Sequence, residues 1–360
     1  MIINIRLLNE GVLQEADRIF RLSFGTFLGL SDPRAFSGDA EYIRTRFHAD
    51  QSAAYGAEVV DDGNGIRFVG SNFAVNWGSV GFFGPLTIDP QFWNKGIAQK
   101  LLERTMQLFS KWNTKHIGLF TFADSPKHIA LYQKFDFWPR FLTAIMSKSL
   151  DVAANYAKSR SELKWSKFSE LFNNTVISDN AAPYQEMKDQ EQPNETRNLD
   201  LCSELTNTIF NGLDLSVEIK SIRSQGLGDT VLLWDNNTDI SSRSSSIDAY
   251  RDNASLVGLA ACHCGAGSEA DSNKCYIKFG GVKPGHAAAY NFDRLLDSCE
   301  AFAKEQGMTH IVAGVNTGRY EAYRKLLARG FRTDISGVAM QRNNDPGYNE
   351  FDKYIIDDGR

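Results

Sequence analysis

The stretch LTIDPQFWNKGIAQKLL, residues 86–102, reads as the end of a strand, a tight glycine-containing turn and the opening of a helix. Leu86 and Ile88 alternate as on a strand, Pro90 ends it, and the small residues Gly96 and Ala98 fall where the helix begins. The first amides of a helix lack intrahelical acceptors and lie at the positive end of the helix dipole, so such a turn can hold an anion. Strand, glycine and amphipathic helix also occur in this order in many α/β proteins that bind nothing. The stretch therefore gains its meaning from what surrounds it.

Downstream lies SPKHIALYQKFDF, residues 125–137, a helix pattern carrying Tyr132 and ending in an aromatic strand. The two stretches together resemble the GNAT acetyltransferase superfamily. L-x-I-x-P-x-F-W-N-K-G-I-A is similar to its acyl-CoA pyrophosphate loop, with Gly96 and Ala98 in register, Trp93 in place of an Arg or Gln, and Asn94 where a further Gly is common. In the second stretch Ser125 replaces the family's Asn and Asp136 its Gly, while Tyr132 and Phe137 stand in register.

The resemblance implies acetyl-CoA as co-substrate and an amine as acceptor. Backbone amides of Asn94, Lys95, Gly96, Ile97, Ala98 and Gln99, next to Trp93, would hold the diphosphate. The backbone of Leu86, Thr87 and Ile88 would pair with the pantetheine arm, and Ser125 and His128 would lie beside bound CoA. Tyr132 would be the general acid towards the departing thiolate, since a free thiol titrates near ~8.5 and a tyrosine near ~10. The base stays open. Residues 79–88 hold no carboxylate before Asp89; Glu58, Asp89 and Asp124 are candidates by rough location that also read as solvated surface acids, and a water relay fits equally well.

The chain has 360 residues, 42% hydrophobic and 23% charged, enough for two or three domains with proper cores. A net charge of -5 supplies no basic field for nucleic acid, and no Lys/Arg-rich tail suggests a membrane surface. No signal peptide and no run of roughly 18 apolar residues is visible, so a cytoplasmic protein, monomer or homodimer, is expected. The five cysteines match no disulfide framework. Cys262, His263, Cys264 and Cys275 have metal-ligand types, but on a strand His263 points away from its neighbours, and no metal is expected.

Along the chain, strands are expected at 3–7, 53–60, 67–77, 79–88, 116–122 and 141–147, with helices at 12–27, 40–47, 95–112 and around Tyr132. Residues 24–36 are rich in Phe, Gly and Ser; the resemblance implies that this region shapes the acceptor pocket, while the aromatic-rich pattern alone reads equally as simple packing. A helix is read at 161–172, a polar linker at 177–198 and a mobile hairpin loop at 241–246. The remainder repeats the first part. An offset of 194 aligns Pro90 with Pro284, Leu101 and Leu102 with Leu295 and Leu296, His116 with His310, and Phe137 with Phe331. At that offset Gly96 becomes Tyr290, Ala98 becomes Phe292 and Tyr132 becomes Leu326, so the second copy lacks the anion cradle and the phenol.

The expectation is a mixed α/β, α+β-like chain of two tandem GNAT-like domains: 1–150 binding acetyl-CoA, a connecting segment 151–198, a degenerate second domain 199–345 and a tail 346–360. Two functions compete, an N-acetyltransferase and a non-catalytic acyl-CoA sensor or interaction protein. A third possibility is activity in the second copy, through Gly285 and Tyr323 in a shifted register.

Overall fold

Alternating apolar residues form β1 (Ile2–Leu7), after which helical spacing takes over in α1 (Leu13–Phe27) and α2 (Tyr42–Ala49). Helix α1 buries Leu13, Ala16, Ile19 and Phe20 against Ile43 and Phe47 of α2 and Phe73 of the sheet. Strands β2 (Ala54–Asp61), β3 (Gly65–Trp77) and β4 (Val80–Phe83) follow in antiparallel order. The computed structural model describes residues 2–61, 65–150, 163–172, 193–235 and 255–360; the loop expected at 241–246 lies outside them.

Residues 79–88 do not form one strand as expected. They divide into β4 and β5 (Thr87–Ile88), because Pro85 has no N–H for the ladder and four residues, 84–87, advance along only three of β3. Helix α3 (Ile97–Trp112) then buries Ile97, Leu101, Leu102, Met106 and Phe109 on one face and stops at Asn113, whose φ of 56° is left-handed. Strand β6 (His116–Phe122), helix α4 (Pro126–Gln133) and the long strand β7 (Phe137–Ser149) complete the series.

The same series recurs: β8 (Trp165–Lys167), α5 (Pro193–Ile209), α6 (Ser216–Gln225), β9 (Gly228–Trp234), β10 (Leu256–Gly265), β11 (Asp271–Val282), α7 (Ala288–Glu305), β12 (His310–Asn316), α8 (Tyr320–Ala328) and β13 (Arg332–Arg342). Residues 161–172, read as helix, instead hold β8 and a short 3-10 turn. Strand pairing with β9 overrides the local pattern there, and residues 161–162 lie outside the described ones. Residues 193–198, read as linker, are the first turns of α5, with Asn198 buried; 177–192 are not among the described residues.

Among the described residues one sheet of 14 strands runs in the order β1-β2-β3-β4-β6-β13-β7-β12-β11-β10-β9-β8, with β5 beside β3 and a last short strand beside β11. Its two ends mirror one another, and the centre is exchanged. β6 pairs with β13 of the later half, and β12 pairs with β7 of the earlier half, in each case antiparallel. Of the segment 346–360, expected as a tail, residues 355–357 pair with this sheet. Strand β14 (Ile355–Ile356) pairs with β11, and both isoleucines are buried.

Candidate functional site

β4 and β6 lie parallel and paired at Val80↔His116, Gly81↔Ile117 and Phe82↔Gly118. Beyond these pairs β5 stays with β3, so a V opens between residues 83–88 and 119–122. A cleft of about 1040 Å³ fills the V, and the start of α3 forms one end of it. Of the residues expected to form a site, Leu86, Ile88, Trp93, Asn94, Lys95, Gly96, Ile97, Ala98, Gln99, Ser125, His128 and Tyr132 line this cleft. Thr87 does not; it is buried, its hydroxyl 3.3 Å from that of Ser71.

Local chemistry explains the shape of the turn. The indole N–H of Trp93 donates to the Ile88 carbonyl at 2.7 Å, and the Ser23 hydroxyl donates to the same oxygen at 2.7 Å, which ties the turn to α1. Asn94 and Gly96 then adopt left-handed φ values of 63° and 77°. A Cβ on Gly96 would meet no protein atom within 4 Å, so the space there belongs to the cleft. The amide of Lys100 makes the first bond of α3, to the Gly96 carbonyl, which leaves the amides of 97–99 without intrahelical acceptors. Lys95, Lys127 and Lys134 also line the cleft; the last two were not among the sequence candidates, and exposed lysines carry no motif by which to find them.

Tyr132 is buried in the core with its ring 5.9 Å from that of Phe83, and burial raises its pKa, so the phenol keeps its proton. It lines the cleft. Ser125 bonds to His128 Nδ1 at 2.8 Å, and His128 is pushed towards the neutral form by burial first and the Lys127 charge second. None of the three carboxylates considered as a base lines the cleft. Glu58 pairs with Arg6 at 2.6 Å, and Asp124 is exposed. Asp89 is not solvated: it is 2% exposed and accepts from Arg18, Arg67 and the Gln91 amide.

The far wall comes from the later half of the chain, through Glu269, Asp271, Lys274 and Tyr276 together with His310 and Val312. Sequence reasoning missed this wall, since only the exchange of β7 and β13 brings it there. Glu269 is fully buried and accepts from Arg46 at 3.0 and 2.9 Å and from Lys278 at 3.0 Å. Lys278 also reaches Glu218, which binds His263 at 3.0 Å. Burial alone would raise both acids, but Lys278 and His263 draw Glu218 down to about 2, and Arg46 and Lys278 draw Glu269 well below the usual carboxylate range.

The corresponding V of the later half is filled. Lys274↔His310, which sits 194 residues after Val80↔His116, begins the parallel pairing of β11 with β12. Beyond it, Gly280 and Gly281 pair with Ile356 and Ile355, and the Asp357 amide donates to Gly314 O at 2.9 Å. At the same offset Gly280 and Gly281 correspond to Leu86 and Thr87, and Gly314 to Phe120. A Cβ on Gly314 would lie 2.1 Å from Asp358 Oδ2, so the crossing segment needs glycine there. Tyr290 is exposed, while Phe292 and Leu326 are fully buried in the core of that half.

Residues 16–137 match the acetyltransferase (GNAT) family. This segment is a GNAT domain. It spans α1 to the start of β7 and contains both sides of the open V. Two solved structures are similar to nearly the whole chain and share its fold. One is a candidate acetyltransferase of Pyrococcus horikoshii, with 12% identity, a TM-score of 0.59, and 99% of this chain and 94% of that one covered. The other is a GCN5-related N-acetyltransferase of Sphaerobacter thermophilus, with 14% identity, a TM-score of 0.54 and 96% of each chain covered. No curated protein matches the chain. The class of chemistry that the GNAT domain brings is acyl transfer. Among the described residues no helix is long and apolar enough to cross a membrane.

Proposed function

We propose that the chain is an acetyl-CoA-dependent N-acetyltransferase that works from the cleft of its first half, residues 1–150, braced by a degenerate GNAT-like second half. The observation that carries this reading is the contrast between the two Vs. One is open and ends at the unbonded amides of α3, and the other is occupied by the chain's own residues 355–357.

In this reading the amides of 94–99 hold the diphosphate, with Lys95, Lys127 and Lys134 adding charge around it. The pantetheine arm lies along Leu86, Thr87 and Ile88, where the backbone of Thr87 takes part although its side chain is turned into the sheet. A backbone N–H in this segment polarises the thioester carbonyl. The acceptor nitrogen attacks that carbon, the C–S bond breaks, and Tyr132 delivers a proton to the leaving sulfur. Burial raises the phenol's pKa, so it stays protonated and enters the step with a proton to give. Ser125 fixes His128 at the mouth, next to the CoA path. The proton lost by the acceptor leaves through water, since the lining carboxylates Glu269 and Asp271 already hold partners and Asp334 is exposed on β13.

Acetyl-CoA at saturation should raise the melting temperature by several degrees, as a ligand at 100 times its Kd adds about 2.7 kcal/mol. Free thiol should appear when amines are added. An unmoved melting curve would refute acyl-CoA binding; a shift without thiol release from any amine would favour a sensor.

A further inference from the structure

The chemistry of the cleft beyond the thioester position narrows the acceptor, and this inference rests on the function just proposed. From the V the cleft runs into a chamber walled by Phe20, Phe24, Phe27, Phe36, Phe120 and Phe122. The rings are in continuous contact. Phe24 and Phe36 stack at 5.1 Å, Phe27 and Phe122 stand 5.2 Å apart, and Phe20 meets Phe24 edge-on at 5.3 Å. All but Phe20 are only half-buried, so ring faces remain open to the chamber rather than being consumed by the core. Such a wall favours a flat apolar group, which it can stack on or meet edge-on.

The ionic groups opposite are already matched. Glu269 is sealed by Arg46 and Lys278, Asp271 holds Lys274 at 3.0 Å, and Asp358 holds Arg360 at 3.0 Å, with the Arg360 guanidinium lying over the Tyr276 ring at 4.6 Å. Among the described carboxylates that line the cleft, Asp334 alone remains, exposed on β13 at the rim. A polycation entering here would lose hydration at several ammonium groups and find at most one free carboxylate. A monoamine gives up far less.

We propose that the acceptor is a monoamine carried on an apolar, ring-bearing body, with the ring in the phenylalanine chamber and the amine directed at the thioester, and that polycationic amines are rejected. The test is thiol release from acetyl-CoA with phenethylamine and tryptamine, against propylamine and against spermidine and kanamycin. The ring-bearing amines should exceed propylamine by roughly 100-fold in kcat/KM, and the polycations should fall below it. Phe24→Ala and Phe36→Ala should each reduce the phenethylamine-to-propylamine ratio by about 10-fold or more, while acetyl-CoA still raises their melting temperatures, which shows that both variants fold and bind.

The proposal is overturned if spermidine or kanamycin is the better acceptor or if phenethylamine is no better than propylamine; turnover of no amine at all refutes the N-acetyltransferase function instead. The proposal is also overturned if the phenylalanine variants change only the preference between acetyl-CoA and longer acyl-CoAs, which would give the chamber to the acyl chain. Loss of the wild-type melting shift with acetyl-CoA is a different result and refutes the function itself.

Discussion

At the scale of single residues, the proposed function gives Tyr132 and Gly96 opposite roles, one through its side chain and the other through having none. Tyr132→Phe removes the proposed proton donor but keeps the ring against Phe83. We expect kcat to fall about 100-fold with KM for acetyl-CoA within a few-fold, measured by thiol release. Unchanged turnover would move the acid elsewhere. Gly96→Tyr should abolish the melting shift with acetyl-CoA while leaving a folded chain, because the added atoms enter the cleft and not the core. Its cost to folding is the left-handed φ of 77°, about 1–2 kcal/mol for a residue with a Cβ.

At the scale of elements, the structure contains two copies of one strand-and-helix series, and they differ in what occupies the V. The contrast depends on Gly314, where an added Cβ would collide with Asp358. Gly314→Val should expel the segment around Ile355 and Ile356 and lower the melting temperature markedly, at a cost of about 3 kcal/mol or more from overpacking and lost burial. A melting curve within a degree of wild type would show that the segment is not seated as described. Much at this scale was legible in the sequence. Periodicity marks α1, α3, β3 and β6 within a few residues, and the offset of 194 anticipates the pairing of Lys274 with His310. The division of residues 79–88, the strand at Trp165 and the occupation of the second V by Ile355 and Ile356 were not, because each depends on partners distant in the chain rather than on local pattern.

The candidate site was legible only in part for the same reason. Gly96, Ala98 and Tyr132 stand in a recognisable register, whereas Glu269 and Tyr276 reach the cleft through an exchange of strands that no single segment encodes. At the scale of the whole molecule, the buried chain Arg46–Glu269–Lys278–Glu218 crosses from the earlier half to the later one. Glu269→Gln leaves two buried cations short of a partner, and we expect a loss of about 3–5 kcal/mol in denaturant unfolding. The same groups set an acid limit. Both carboxylates have folded pKa values below the ordinary ~4.3, so their contribution is complete above that pH and is lost as pH falls through the folded values, about 2 for Glu218 and likewise depressed for Glu269. Stability between pH ~4.5 and ~2 should therefore fall less steeply in Glu269→Gln than in the wild type.

The most direct test of the central claim is a crystal structure of the chain grown with CoA. Density for one CoA should run from the amides of 94–99 into the open V beside Leu86 and Ile88, with residues 355–357 still filling the second V. CoA beside Gly280 and Gly281, or a first V that stays empty at saturating CoA, would contradict it.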